Sequence, residues 1–167
     1  MRRLTGMITA AAVIAATAGM ATSQAAARAA DSPRCHTSEL TIRDGGGNGA
    51  AGSFVVSIEV KNVSGHTCHT RGFAGLTLIG RLGNVLPTHV RTGGPSHRVN
   101  LRSGQMAHFT LSIRQYAMNP TGAPCHSPTA RKLRVIPPDE TDYRLVTLRG
   151  RGIRPCGGRI DEGAITR

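Results

Sequence analysis

Two short stretches carry residue types able to hold a metal. His66-Thr67-Cys68-His69 sets a thiol between imidazoles, a donor mix that suits zinc, and Met106-Ala107-His108 sets two soft donors two residues apart, which suits copper if the stretch is a strand. Neither set is complete. The first lacks the C-x-x-C or H-x-x-x-H spacing that makes such a signal specific, and no third ligand accompanies Met106 and His108. The competing fate of Cys68 is a disulfide, in which the sulfur has no thiolate to offer. That fate is the reading preferred here, so no metal and no cofactor are assigned. An exported copper- or zinc-binding protein using Met106, His108 and some of His66, His69, His89, His97 and His126 is the alternative.

Catalysis has less support. A nucleophile with its base, or two carboxylates across a cleft, would be needed. No G-x-S-x-G signature occurs, Asp139, Glu140 and Asp142 crowd into one turn, and Asp161 and Glu162 lie near the tail. The chain is therefore expected not to be an enzyme, and no catalytic residue is named.

Charge is the stronger signal. Lys and Arg number 21 against 9 Asp and Glu, a net +12. Six of these cations, Arg131, Lys132, Arg134, Arg149, Arg151 and Arg154, fall on or just after two neighbouring candidate strands, so that pairing of those strands would gather them on one side. Such a patch suits an anionic partner: a cell-wall polymer, acidic lipid headgroups or an acidic protein. Basic residues also serve solubility and block edge-to-edge aggregation. Two Tyr, three Phe and no Trp leave too few stacking platforms for specific nucleic-acid binding or for an aromatic carbohydrate shelf.

The N-terminus decides which fate the cysteines meet. Arg2 and Arg3, a weakly apolar Ala-rich run from Met7 to Met20 and small residues up to Ala30 form the pattern of a secretory signal peptide, expected to span residues 1–29. A single domain over residues 30–167 follows, about 138 residues and enough for one core. Without Arg2, Arg3 and Arg28 it keeps 18 basic residues against 9 acidic ones, still about +9. No later run approaches the roughly 20 apolar residues of a membrane helix. A secreted, monomeric protein is expected, in a compartment where disulfides persist.

The elements that would position these residues alternate with period two. Strands are expected at Leu40 to Ile42, Phe54 to Val60, Leu76 to Ile79, Asn84 to Val90, Met106 to Ile113, Lys132 to Ile136 and Tyr143 to Leu148. Gly45 to Gly52 reads as the loop of a first hairpin turning near residue 48, and Pro137-Pro138-Asp139-Glu140 as the turn of another. Gln115 to Thr129 reads as a long loop. Along the Met106 strand Ala107, Phe109, Leu111 and Ile113 should face the core, and Met106, His108 and Thr110 the outside. About seven short strands with no helical period imply an all-β, immunoglobulin-like antiparallel sandwich.

Four cysteines, Cys35, Cys68, Cys125 and Cys156, allow three pairings. Positions equidistant from a hairpin turn face each other, which brings Cys35 to Cys68 and Cys125 to Cys156. Each bridge would close a loop of about 32 to 34 residues, worth roughly 3 to 4 kcal/mol in the chain-entropy account. His66 and His69 then become polar residues of an inter-strand turn. Asn62-Val63-Ser64 fits a glycosylation sequon, and a turn role explains it equally well.

Asn62-Val63-Ser64-Gly65, Cys68, Gly72-Phe73-x-Gly75, Leu101-x-Ser103-Gly104-x-x-Ala107, Cys125, Leu133-x-Val135 with Pro137-Pro138, and Cys156-Gly157-Gly158 together resemble an actinobacterial secreted family, domain of unknown function 4232. The likeness runs from about Cys35 to the C-terminus. Ala74 and Ser103 stand where members of that family often carry Pro. The resemblance implies an exported or envelope-attached β-sandwich without assigned activity, and it transfers no catalytic residue. Residues and resemblance together lead to one expectation: a secreted, non-catalytic β-sandwich that binds or supports something at the bacterial cell envelope.

Overall fold

The computed structural model describes residues 32–50, 53–114, 127–150 and 152–167. The predicted signal segment, Cys125, His126, Arg151 and most of the predicted long loop lie outside the described residues.

The described chain is all-β, with two single-turn 3-10 segments, Thr37–Glu39 and Cys156–Gly158. Its strands are β1 (Leu40–Ala50), β2 (Ser53–Asn62), β3 (Cys68–Thr70), β4 (Gly75–Gly80), β5 (His89–Gly93), β6 (Val99–Leu101), β7 (Met106–Arg114), β8 (Ala130–Ile136), β9 (Arg144–Thr147) and β10 (Arg159–Gly163). They form a five-stranded sheet ordered β1-β2-β7-β10-β5, a three-stranded sheet β4-β8-β9 and a two-stranded ladder β3-β6. Every pairing is antiparallel except β5 with β10.

Alternation explains the strands directly. On β7 the burial follows the predicted phase, with Ala107, Phe109, Leu111 and Ile113 buried and Met106 and His108 exposed. Val56, Ile58 and Val60 from β2 join Leu76 and Leu78 from β4, Leu133 and Val135 from β8 and Val146 from β9 in one core. Burial of those side chains is what holds the sheets together, at about 1.5–3 kcal/mol for each fully buried Val, Leu or Ile.

The structure changes several details of the sequence reading. The first hairpin exists, but its glycine run is strand and not loop: β1 continues to Ala50, pairing with Ser53, so the reversal falls beyond residue 48. Register shifts between Asp44 and Gly46, where Gly46 takes φ 100°, and a Cβ on Gly47 would sit 2.4 Å from the Val55 carbonyl oxygen. Glycine is used here for a bulge and a close approach, both compatible with extended backbone. The strand predicted over Asn84 to Val90 is displaced to β5, with only an isolated bridge from Val85 to Ile79 upstream. Three strands were not predicted: β3 and β6, each three residues long, and β10. In β10 the core-facing positions are Ile160 and Glu162, and a carboxylate in the inward phase conceals a strand from periodicity.

Cys35 and Cys68 form a disulfide with Cα atoms 4.9 Å apart. The backbone sets it up, since Cys35 N–H donates to His69 O and His69 N–H to Pro33 O, both at 2.8 Å. No described cysteine is free. Asn62, wholly buried, donates from Nδ2 to His66 O and Leu101 O and accepts from Ser64 N and Oγ. Its amide locks the turn before β3, so in the folded domain it is no glycan acceptor. His66 lies in that turn, whereas His69 belongs to β3 and not to the turn.

Candidate anion-binding surface

The predicted basic residues collect around β8 and β9, which do pair, through Lys132–Thr147, Leu133–Val146, Arg134–Leu145 and Val135–Arg144. The hairpin reverses at Pro137-Pro138-Asp139-Glu140 as expected, with Glu140 N–H donating to Pro137 O at 3.2 Å and Asp139 at φ 60°. Leu133 and Val135 point inward and are fully buried. Lys132 and Arg134 therefore occupy the outer face. A register shift between Ile79 and Gly80 takes Arg131 out of this alternation.

On that outer face Arg134 is half-buried. Its Nη2 donates to Thr77 Oγ1 at 3.1 Å, its guanidinium lies 5.5 Å from the Tyr143 ring centroid, and its Nε is buried without a partner among the described residues. At the far end of the hairpin Arg131 Nη1 donates to Gly150 O at 3.3 Å and Arg154 Nε to Thr129 Oγ1 at 2.8 Å. Arg149 is exposed, while its backbone N–H donates to the buried Asp44 Oδ2 at 2.7 Å. The patch thus has two parts: Lys132 and Arg134 on the sheet face, and Arg131, Arg149 and Arg154 at its end.

Among the described residues none of these five cations reaches a carboxylate. The ion pairs lie elsewhere: Arg34 and His36 with Glu140, Arg43 with Glu59, His66 with Glu39, and Arg91 with Asp161. Arg144, which stands within the same hairpin, is also committed, donating to Thr37 O at 2.8 Å and Leu40 O at 3.4 Å.

Glu140 shows what partners do to a shielded charge. Burial by itself would raise its pKa. The Thr37 N–H at 2.9 Å and hydroxyl at 3.1 Å, with Arg34 and His36, outweigh that effect and hold the carboxyl below its ordinary value. Glu162 shows the opposite case. It is 2% exposed, one oxygen accepts from Ala74 N–H at 2.7 Å, the other has no partner among the described residues, and burial pushes its pKa up to about 7.

The candidate ligands of the alternative, metal-binding reading are dispersed among the described residues. Cys68 is in the disulfide. His66 faces Glu39, and His69 Nδ1 lies 2.7 Å from Ser32 O. His89 is exposed on β5 and His97 is exposed in the loop between β5 and β6. Met106 and His108 share the outer face of β7 with Glu59, the cross-strand partner of His108. There Arg43 bonds Glu59 through Nε and contacts Met106 Sδ through Nη2 at 3.9 Å. A guanidinium already stands where a cation would have to enter. Among the described residues no three His, Cys, Asp or Glu side chains form a group able to hold a metal ion.

Sequence reasoning missed Tyr143 and Leu145 as surface residues. Both are about half exposed, at 51% and 52%, because Val146 and Leu148 take the inward phase. Either phase of Tyr143 to Leu148 contains two large apolar residues, so alternation could not choose between them.

The sequence profile of the family described as "Domain of unknown function (DUF4232)" matches residues 35–166. No curated protein matches the chain.

Proposed function

The chain belongs to the family described as Domain of unknown function (DUF4232), and on that premise we propose, from the site itself, a non-catalytic module that binds an anionic partner at the bacterial cell envelope. The observation that carries this is the contrast in pairing: five patch cations have no carboxylate among the described residues, while Arg34, Arg43 and Arg91 each have one. A cation whose side chain meets no internal carboxylate keeps its charge uncompensated and is free to pair with an external anion. The rest of the proposal follows the sequence: export after loss of residues 1–29, an immunoglobulin-like arrangement of the sheets, and a second bridge from Cys156 to Cys125. The disulfide at Cys35–Cys68 supports an oxidising destination.

Retention on immobilised polyphosphate, measured against salt, tests the reading. The triple substitution Lys132→Glu, Arg149→Glu and Arg154→Glu should abolish retention, whereas Arg34→Glu with Arg43→Glu and Arg91→Glu, the same change of net charge made at paired cations, should reduce it little. Equal loss from both would place the affinity in net charge alone and end the claim for this surface. Sequencing the N-terminus of protein recovered from the culture medium and from cell fractions tests export.

A further inference from the structure

The outer face of the β4-β8-β9 sheet offers more than charge. Leu145 is the cross-strand partner of Arg134, Tyr143 lies under the same guanidinium, and Lys132 is paired with Thr147 one step along. Two half-exposed apolar side chains therefore stand among cations on one side of a sheet, with the exposed Arg149 just past the end of β9. A soluble polyanion would engage the cations and leave Leu145 in water. A phospholipid headgroup layer presents both complements, phosphates at its surface and an apolar boundary beneath, and it moulds itself to whatever face meets it. Tyrosine favours that depth, and lysine and arginine keep their heads at the phosphates while their stems lie along apolar surface.

We infer that this face docks on anionic phospholipid, with Lys132, Arg134 and Arg149 at the phosphates and Tyr143 and Leu145 entering the boundary between headgroups and acyl chains. The inference rests on the anionic-partner reading and names its partner. Each cation near an anionic bilayer contributes about a fivefold gain in affinity, and a partly inserted leucine roughly tenfold.

The test is flotation of the processed chain with phosphatidylglycerol vesicles and with phosphatidylcholine vesicles, beside retention on soluble polyphosphate and polyglutamate. The protein should float with the anionic vesicles alone. Lys132→Glu with Arg149→Glu should weaken flotation by at least about 25-fold, and Tyr143→Ser with Leu145→Ser by about tenfold or more, with unfolding temperature as the check on folding. The chain contains no tryptophan, so Leu145→Trp supplies a reporter whose emission should shift to the blue on anionic vesicles. Flotation with no shift, or flotation that survives loss of Tyr143 and Leu145, overturns insertion by this face. Polyphosphate or polyglutamate binding without vesicle binding overturns the lipid partner and leaves the anionic-partner reading standing. Binding to none of them ends both.

Discussion

Two regions of this domain are rich in arginine and differ in what surrounds the charge. At the corner where the first described residues meet the Pro137–Asp142 turn, Arg34, His36, Thr37 and Arg144 converge with Glu140 and two backbone carbonyls. Every charge there has a partner from a distant part of the chain. On the outer face and end of the β8–β9 hairpin, the side chains of Arg131, Arg134 and Arg154 bond hydroxyls or a carbonyl, and like those of Lys132 and Arg149 they reach no carboxylate among the described residues. Residue type is the same in both regions. Pairing with a carboxylate separates the two regions, because a neutralised guanidinium must give up an ion pair before it can bind an external anion.

The sharpest break at the paired corner is covalent. Cys35→Ser with Cys68→Ser removes the staple beside Arg34 and His36 and should cost about 3 to 4 kcal/mol of unfolding free energy, read by denaturant titration of oxidised and mutant protein. A loss below about 1 kcal/mol would mean that the hydrogen-bonded corner holds without it.

Glu162 sharpens the comparison by keeping the burial with a single backbone donor, Ala74 N–H, and no ion pair among the described residues. Its folded pKa of about 7 lies above its ordinary value of 4.5. The folded state therefore binds the extra proton, and stability is full below pH 4.5, falls as pH rises through about 7, and stays low above it. The swing is at most about 3 kcal/mol. Glu162→Gln should flatten the pH profile of the unfolding temperature in that window; an unchanged profile would assign the swing to other groups.

Glu140 should behave in the opposite sense. Its folded pKa is depressed, so its contribution is complete above 4.5 and is lost as pH falls through the lowered folded value. Glu140→Ala leaves the Thr37 N–H without its acceptor and should cost about 2 kcal/mol at neutral pH, less in acid, by thermal unfolding across pH.

The smallest stability effect belongs to the unpaired face. Lys132→Glu or Arg149→Glu should change unfolding free energy by under about 0.5 kcal/mol while lowering polyanion retention. A larger stability loss would show that these residues hold the fold after all, and the contrast between the regions would collapse.

Much of the architecture was legible because its causes are local. Ala107, Phe109, Leu111 and Ile113 announce the phase of β7 by themselves. The turn at Pro137-Pro138-Asp139-Glu140 sets the register that pairs Lys132 with Thr147. The Cys35–Cys68 bridge followed from hairpin geometry although the reversal lies a few residues beyond its predicted place, since a modest slip along the hairpin still leaves both cysteines at the same end. The misses share a cause as well. β3 and β6 are three residues long, too short for a period, β10 carries Glu162 inward, and the glycines of β1 suit a strand as well as a loop.

From the sequence alone came the all-β character, the first disulfide and the excess of positive charge, because alternation, turn chemistry and composition act between near neighbours or need no geometry at all. Tertiary structure decided which cations are free. Arg34 meets Glu140 beside Thr37, which lies 103 residues from that carboxylate, and no local pattern says that these groups meet. Charge pairing depends on distance through space, so folding alone could leave one arginine cluster neutralised and the other exposed to a partner.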